Sequence, residues 1–141
     1  MLKKLFILTA ALTLLPLTAS AGGRLIPFDE LPGEAKKFVK TYFSDLKVLQ
    51  VEKEFNEYEV KLTDYVSLEF DPDGNWKQIK CRRSAVPDAI IPTLILSYVK
   101  ENFPGSAVVQ IERSKWGYEL ELDGELELEF DRNCNFVRID D

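Results

Sequence analysis

The residues best equipped for chemistry in this chain are carboxylates. Glu119, Glu121, Glu125, Glu127 and Glu129 fall at alternate positions on either side of Asp123-Gly124. Two carboxyls can share general acid and base work when their environments separate their proton affinities, usually in a cleft. Here the intervening residues are leucine and phenylalanine, so the glutamates would stand together on the open face of a sheet. That arrangement reads as a solvated surface, or as a docking surface for a basic partner. A second acidic run, Asp71-Pro72-Asp73-Gly74-Asn75, superficially resembles a calcium loop. Its glycine is fourth rather than sixth and its twelfth position is Arg82, so a hairpin turn is the expected structure. The chain has no histidine, which removes the common base for a serine or cysteine nucleophile and the usual zinc sites. No glycine-rich phosphate loop or nucleophile elbow is present. The residues therefore predict no enzyme, no metal and no cofactor.

Lys3 and Lys4 precede an apolar stretch from Leu5 to Leu17, and Ala19-Ser20-Ala21 follows. This is the pattern of a secretory leader, predicted to be cut after Ala21. The stretch is shorter than the ~20 residues a bilayer span needs, and no cysteine stands at the cut to carry a lipid. No later run is apolar enough to cross a membrane, so a soluble periplasmic or secreted protein is expected. The formal charge of -6 falls to about -8 once Lys3 and Lys4 leave with the leader. Such acidity repels nucleic acid and favours solubility or a basic partner. In an oxidising compartment, two cysteines, Cys81 and Cys134, invite a disulfide.

The elements that would position these residues occur twice. Residues 27–81 align on residues 87–141 without a gap. Pro32 matches Pro92, Phe43 matches Phe103 and Tyr58-Glu59 matches Tyr118-Glu119. Leu68-Glu69-Phe70-Asp71 matches Leu128-Glu129-Phe130-Asp131. Self-similarity of this kind marks a duplicated unit. The expected organisation is a leader (1–21), a first unit (22–81), a short linker (82–86) and a second unit (87–141).

Each unit should open with a helix, because Pro32 and Pro92 suit a first helical turn. Leu31, Ala35, Phe38, Val39, Tyr42 and Phe43 recur at helical spacing. The second helix, from Thr93 to Phe103, is greasier and is expected to be buried on two sides. Four strands follow in each unit. The first should put Leu49 and Val51, or Val109 and Ile111, on one face. Strands two and three alternate leucine with glutamate, as a half-buried antiparallel sheet does. For Leu122 and Leu126 to share a face, the Asp123-Gly124-Glu125 connection must be odd or bulged; Thr63-Asp64-Tyr65 obeys the same count. The fold class is α+β: two tandem repeats, each one helix packed on a four-stranded antiparallel sheet.

Two further expectations concern special positions. A four-residue loop at 71–74 would set Ile79 over Val66 and turn Trp76 to the outer face near Glu69, with Phe136 beside Glu129. Intramolecular cover is expected for both aromatics, and a contact role for Trp116 in the loop between strands one and two. Cys134 occupies the turn position of Gly74, which suits glycine better than cysteine. An inter-unit disulfide to Cys81 and two unrelated thiols are the alternatives.

Leu31-Pro32 leading to Val39 and Phe43, Tyr58-Glu59-Val60-x-Leu62, and Leu68-Glu69-Phe70-Asp71-x-x-Gly74-Asn75-Trp76 resemble the exported proteins with tandem PepSY-like modules. These are also described as β-lactamase-inhibitor-like. The second copy repeats the pattern, with Cys134 replacing glycine and Phe136 replacing tryptophan. The resemblance implies a helix on a four-stranded sheet, twice over, in a periplasmic or secreted protein, and no known activity. The expected function is a binding module that grips a protein or peptide with its outer sheet face, through Glu119, Glu121, Glu127, Glu129, Trp116, Trp76 and Arg138. Gln50, Glu52, Glu59, Glu69, Gln110 and Glu112 share that face. An inhibitor of a secreted hydrolase, plugging with Ser114-Lys115-Trp116-Gly117, and a structural envelope component are the alternatives.

Overall fold

A computed structural model describes residues 23–140; the leader and its cleavage after Ala21 lie outside the described residues. The fold is α+β, with two helices and a nine-stranded antiparallel sheet. The strands are β1 (Arg24–Leu25), β2 (Val48–Glu54), β3 (Glu57–Leu62), β4 (Val66–Phe70), β5 (Trp76–Cys81), β6 (Val108–Ser114), β7 (Gly117–Leu122), β8 (Glu127–Asp131) and β9 (Phe136–Asp140). They lie in the sheet in chain order. The helices are α1 (Gly33–Tyr42) and α2 (Thr93–Asn102), each preceded by a short 3₁₀ turn.

The two halves share one sheet rather than forming two. β5 pairs with β6 through Gln78↔Glu112, Ile79↔Ile111 and Lys80↔Gln110. The connection between them is no free tether, because Val86 is buried and its N–H bonds to the Val108 carbonyl at 2.8 Å. Arg113 adds a clamp across this junction. Its Nε donates to the Trp76 carbonyl at 2.8 Å, and its guanidinium lies 4.1 Å from the Trp76 ring centre.

Helical periodicity placed α1 correctly. Leu31, Ala35, Val39 and Phe43 are buried, with Phe38 packed edge-on to Phe70. Pro32 and Pro92 cap the helices from just outside, their carbonyls accepting from Lys36 and Leu96. The greasy second helix is not buried on two sides. Only Ile95 and Val99 are inside, and Leu94 is 66% exposed. A helix on one face of a sheet has one dry stripe, whatever the hydrophobicity of the rest.

The core is a set of aligned rows. Val51, Val60, Leu68, Ile79, Ile111, Leu120, Leu128 and Ile139 stand opposite one another on successive strands. All but Ile139 are buried. The three-residue connections behave as their odd count requires: Leu62 pairs Val66, and the Leu122 N–H bonds to Leu126.

Bulges overturn four expected orientations. The register shifts between Val48 and Gln50, and again between Val108 and Gln110. Leu49 and Val109 become the extra residues, and Val48 and Val108 take their place opposite the buried Leu62 and Leu122. A third shift at Glu69/Phe70 leaves Lys77 as the extra residue, so Ile79 pairs Leu68 rather than Val66, and Trp76 pairs Phe70. Trp76 is therefore in the core at 9% exposure, not on the outer face. The same shift at Glu129/Phe130 pairs Phe136 with Phe130 and stacks it on Tyr98 of α2, 4.8 Å between ring centres. An inserted residue reverses the side of everything beyond it.

Candidate functional site

The strand alternation that buries the leucines places their neighbours on the opposite face, which no helix covers. Along that face the register aligns Leu25, Glu52, Glu59, Glu69, Gln78, Glu112, Glu119, Glu129 and Arg138, each opposite the next. The result is a line of carboxylates running across the strands, about 4.8 Å from one to the next, broken by Gln78 and closed by Arg138. The Arg138 guanidinium reaches Glu129 at 3.0 Å. A neighbouring row has opposite character at its two ends. It runs Gln50, Lys61, Ser67, Lys80 in the first half, then Gln110, Glu121, Glu127, Asp140.

Like charges opposed across strands are unfavourable, and the proton affinities register it. Partial burial, then the charges of Glu57 and Glu59, push the Glu69 carboxyl up, with Lys77 pulling back. Partial burial, then Glu112, Glu129 and Glu127, push Glu119 up. Glu54 is raised by desolvation, by a hydrogen bond with Glu57 and by its acidic neighbours. Carboxylate oxygens of Glu52, Glu54 and Glu59 lie within 4.8 Å of one another, a set able to offer oxygen ligands to a cation.

The expected site residues separate into groups. Trp116, Glu119, Glu129 and Arg138 line one shallow depression of about 370 Å3, together with Glu112 and Ser114. Glu121 and Glu127 line a second with Glu125 and Asp140. Trp116 sits 75% exposed at the tip of the β6–β7 hairpin, its N–H held by Ser114 Oγ at 3.1 Å. Trp76 lines neither depression; it is largely in the core, and its remaining edge borders a separate hollow with Lys77 and Arg113. Gly117 makes the floor of the first depression possible. A Cβ there would lie 2.1 Å from the Phe130 carbonyl oxygen, and its φ is +146°. The sequence reading did not single out Lys61, Lys80 and Arg82, which line a third hollow of about 650 Å3 with Leu49 and Tyr65. Only the strand register brings them together.

The acidic turn at Asp71 is a hairpin that consumes its own carboxylate. Asp71 Oδ1 accepts N–H groups from Asp73 and Asn75, both at 2.9 Å, and Oδ2 accepts from Asn75 Nδ2. Asp131 makes the same bonds with Asn133 and Asn135. For Asp71, partial burial raises the affinity but the bonds from Asn75, Asp73 and Gly74 outweigh it, and the carboxyl ends below its ordinary value. Asp131 is lowered by the Asn135 N–H first, then by Asn133.

The inter-unit disulfide does not form, and both thiols are free. Cys81 ends β5, while Cys134 lies in the turn that opens β9, so they sit at opposite ends of strands at least three places apart. Three strand spacings alone are about 14 Å, well beyond bonding range. Burial pushes both thiols up, which makes them poor nucleophiles. Cys134 does hold the left-handed conformation of Gly74, with φ of +69° against +94°.

Two helices on one side of a meandering sheet, with the other side bare and lined by carboxylates, define an open-faced α+β scaffold. The chain belongs to the family described as "Putative beta-lactamase-inhibitor-like, PepSY-like", which matches residues 20–71 and 56–138. A Bacteroides thetaiotaomicron structure, described as a "putative calcium-regulated periplasmic protein", is 39% identical. It covers 84% of this chain and 97% of its own, with a TM-score of 0.82. Two structures from Bacteroides vulgatus are each 36% identical. One, described as a "putative periplasmic protein" of the DUF2874 family, covers 87% of this chain and all of its own at TM-score 0.84. The other, described as a "putative periplasmic protein of unknown function", covers 85% and all of its own at 0.80. No curated protein matches the sequence. No catalytic family is indicated by these relatives.

Proposed function

We propose that this is a periplasmic binding module that holds a basic protein or peptide against its uncovered sheet face. It would be built from two units, 22–81 and 87–141, joined by 82–86 and exported by a leader cut after Ala21. The carrying observation is the row Glu52, Glu59, Glu69, Glu112, Glu119 and Glu129. A fold that sets like charges opposite one another accepts an electrostatic cost that a cationic partner would relieve. The periplasmic descriptions of the three relatives support the location. The test is affinity capture from the native periplasm, with the wild type beside a chain carrying Glu121, Glu127 and Glu129 changed to lysine. A partner held at low salt, released by added salt and lost by the reversed chain is the expected result. Capture unaffected by the reversal rejects this surface.

The inhibitor reading uses the same face, with the exposed Trp116 hairpin as the plug. Its check is an inhibition panel of secreted proteases and β-lactamases, in which a flat response at micromolar protein rejects it. A third reading makes calcium the first occupant, at Glu52, Glu54 and Glu59. It draws on that cluster and on the description of the 39%-identical relative. Calcium should then raise the melting temperature, and Glu52→Gln with Glu59→Gln should abolish the rise.

A further inference from the structure

We infer that two copies of this chain associate through β9, continuing the sheet about a two-fold axis at Ile139. The comparison that carries this lies within the molecule. β5 and β9 occupy equivalent positions sixty residues apart, and each closes a set of four strands. β5 is covered by β6, and Ile79 on it is 0% exposed. Among the described residues nothing covers β9, and Ile139 at the same position is 44% exposed. It is the one member of its core row left open to water. The row from Val51 to Leu128 thus ends in a half-finished contact, not in a polar border.

The charges on β9 specify what completes it. Edge strands are commonly guarded by charge that repels a second strand. β9 instead carries opposite charges two residues apart, Arg138 and Asp140, on either side of Ile139. In an antiparallel pairing of β9 with its own copy, centred on Ile139, each Ile139 meets the other. Each Arg138 then faces the Asp140 of the second copy, twice over by symmetry. Opposite charges directly across strands are favourable. The pattern reproduces the β5–β6 junction, where Ile79↔Ile111 is flanked by Gln78↔Glu112 and Lys80↔Gln110. Both junctions would be of the same length, with three residue pairs each. At the other edge β1 is only two residues long, too short to serve as an equal partner.

The experiment is sedimentation equilibrium of the exported chain, recovered from the periplasm, from micromolar to millimolar concentration. A reversible monomer–dimer equilibrium is expected, with hydrogen exchange at Arg138–Asp140 slowing as concentration rises. Asp140→Arg sets arginine against arginine across the axis and should weaken the dimer about tenfold. Within one copy this arginine faces Glu127, so folding is retained, which a melting curve at low concentration verifies. The double variant Arg138→Asp with Asp140→Arg recreates both ion pairs across the axis, at the loss of the Arg138–Glu129 bridge within each copy; with its folding verified by the same melting curve, it should restore association. A mass that stays monomeric throughout overturns the inference. So does growth beyond the dimer, a dimer indifferent to Asp140→Arg, or a double variant that fails to recover.

Discussion

Single residues in this structure are set by turns. Gly117 has no tolerable replacement, because any Cβ would press on the backbone of β8. Gly117→Ala should cost about 3 kcal/mol in urea unfolding. Cys134 pays for a left-handed backbone that glycine adopts freely, so Cys134→Gly should stabilise by about 1 kcal/mol. The reverse exchange, Gly74→Cys, should destabilise, since a Cβ at 74 would lie 2.9 Å from Pro32 Cβ. Asp71 and Asp131 are both lowered in the folded chain. Their contribution is therefore present above the unfolded carboxyl range and disappears as pH falls through their folded values. Asp71→Asn and Asp131→Asn should flatten the acid limb of a stability–pH curve. The cost of Cys134 was legible in the sequence, since its repeat partner is glycine. Its distance from Cys81 was not, because that depends on which ends of which strands the two residues occupy.

The elements were legible where apolar and polar residues alternate cleanly. Tyr118 to Phe130 can adopt only one phase, and α1 follows from its proline and a single apolar stripe, whereas the greasier α2 did not show which stripe would be dry. Legibility failed at Val48-Leu49 and Val108-Val109, where two apolar neighbours leave the phase open and a bulge chooses it. It failed again at Trp76-Lys77, where the aromatic ring fits either face and an inserted lysine decides. The candidate site was half visible. Its glutamates show in the sequence, whereas their alignment into one row across both halves requires the β5–β6 register. That junction makes a measurable difference between equivalent positions. Ile79→Ala empties a closed site and should cost about 3 kcal/mol, whereas Ile139→Ala in dilute solution should cost about 1 kcal/mol.

At the scale of the molecule, the acidic face sets a pH response opposite to that of the turns. Glu69 and Glu119 are raised in the folded chain, by partial burial first and by neighbouring carboxylates next. Their stabilising effect is complete below the unfolded carboxyl range and is lost as pH rises through their folded values. Glu69→Gln with Glu119→Gln should therefore raise the melting temperature at neutral pH and have little effect once both are protonated. Salt should act in the same direction as the substitutions by screening the row.

The strictly sequential strand order has a consequence for how the molecule comes into being. Every strand pairs with the strands next to it in chain order; six of the eight pairings are simple hairpins, whereas β2 and β6 reach their earlier partners only after α1 and α2 have been made. A polypeptide emerging amino-terminus first from a translocation channel could zip up hairpin by hairpin, each new strand sealing the edge left by the last. The final edge is sealed by nothing that follows it among the described residues.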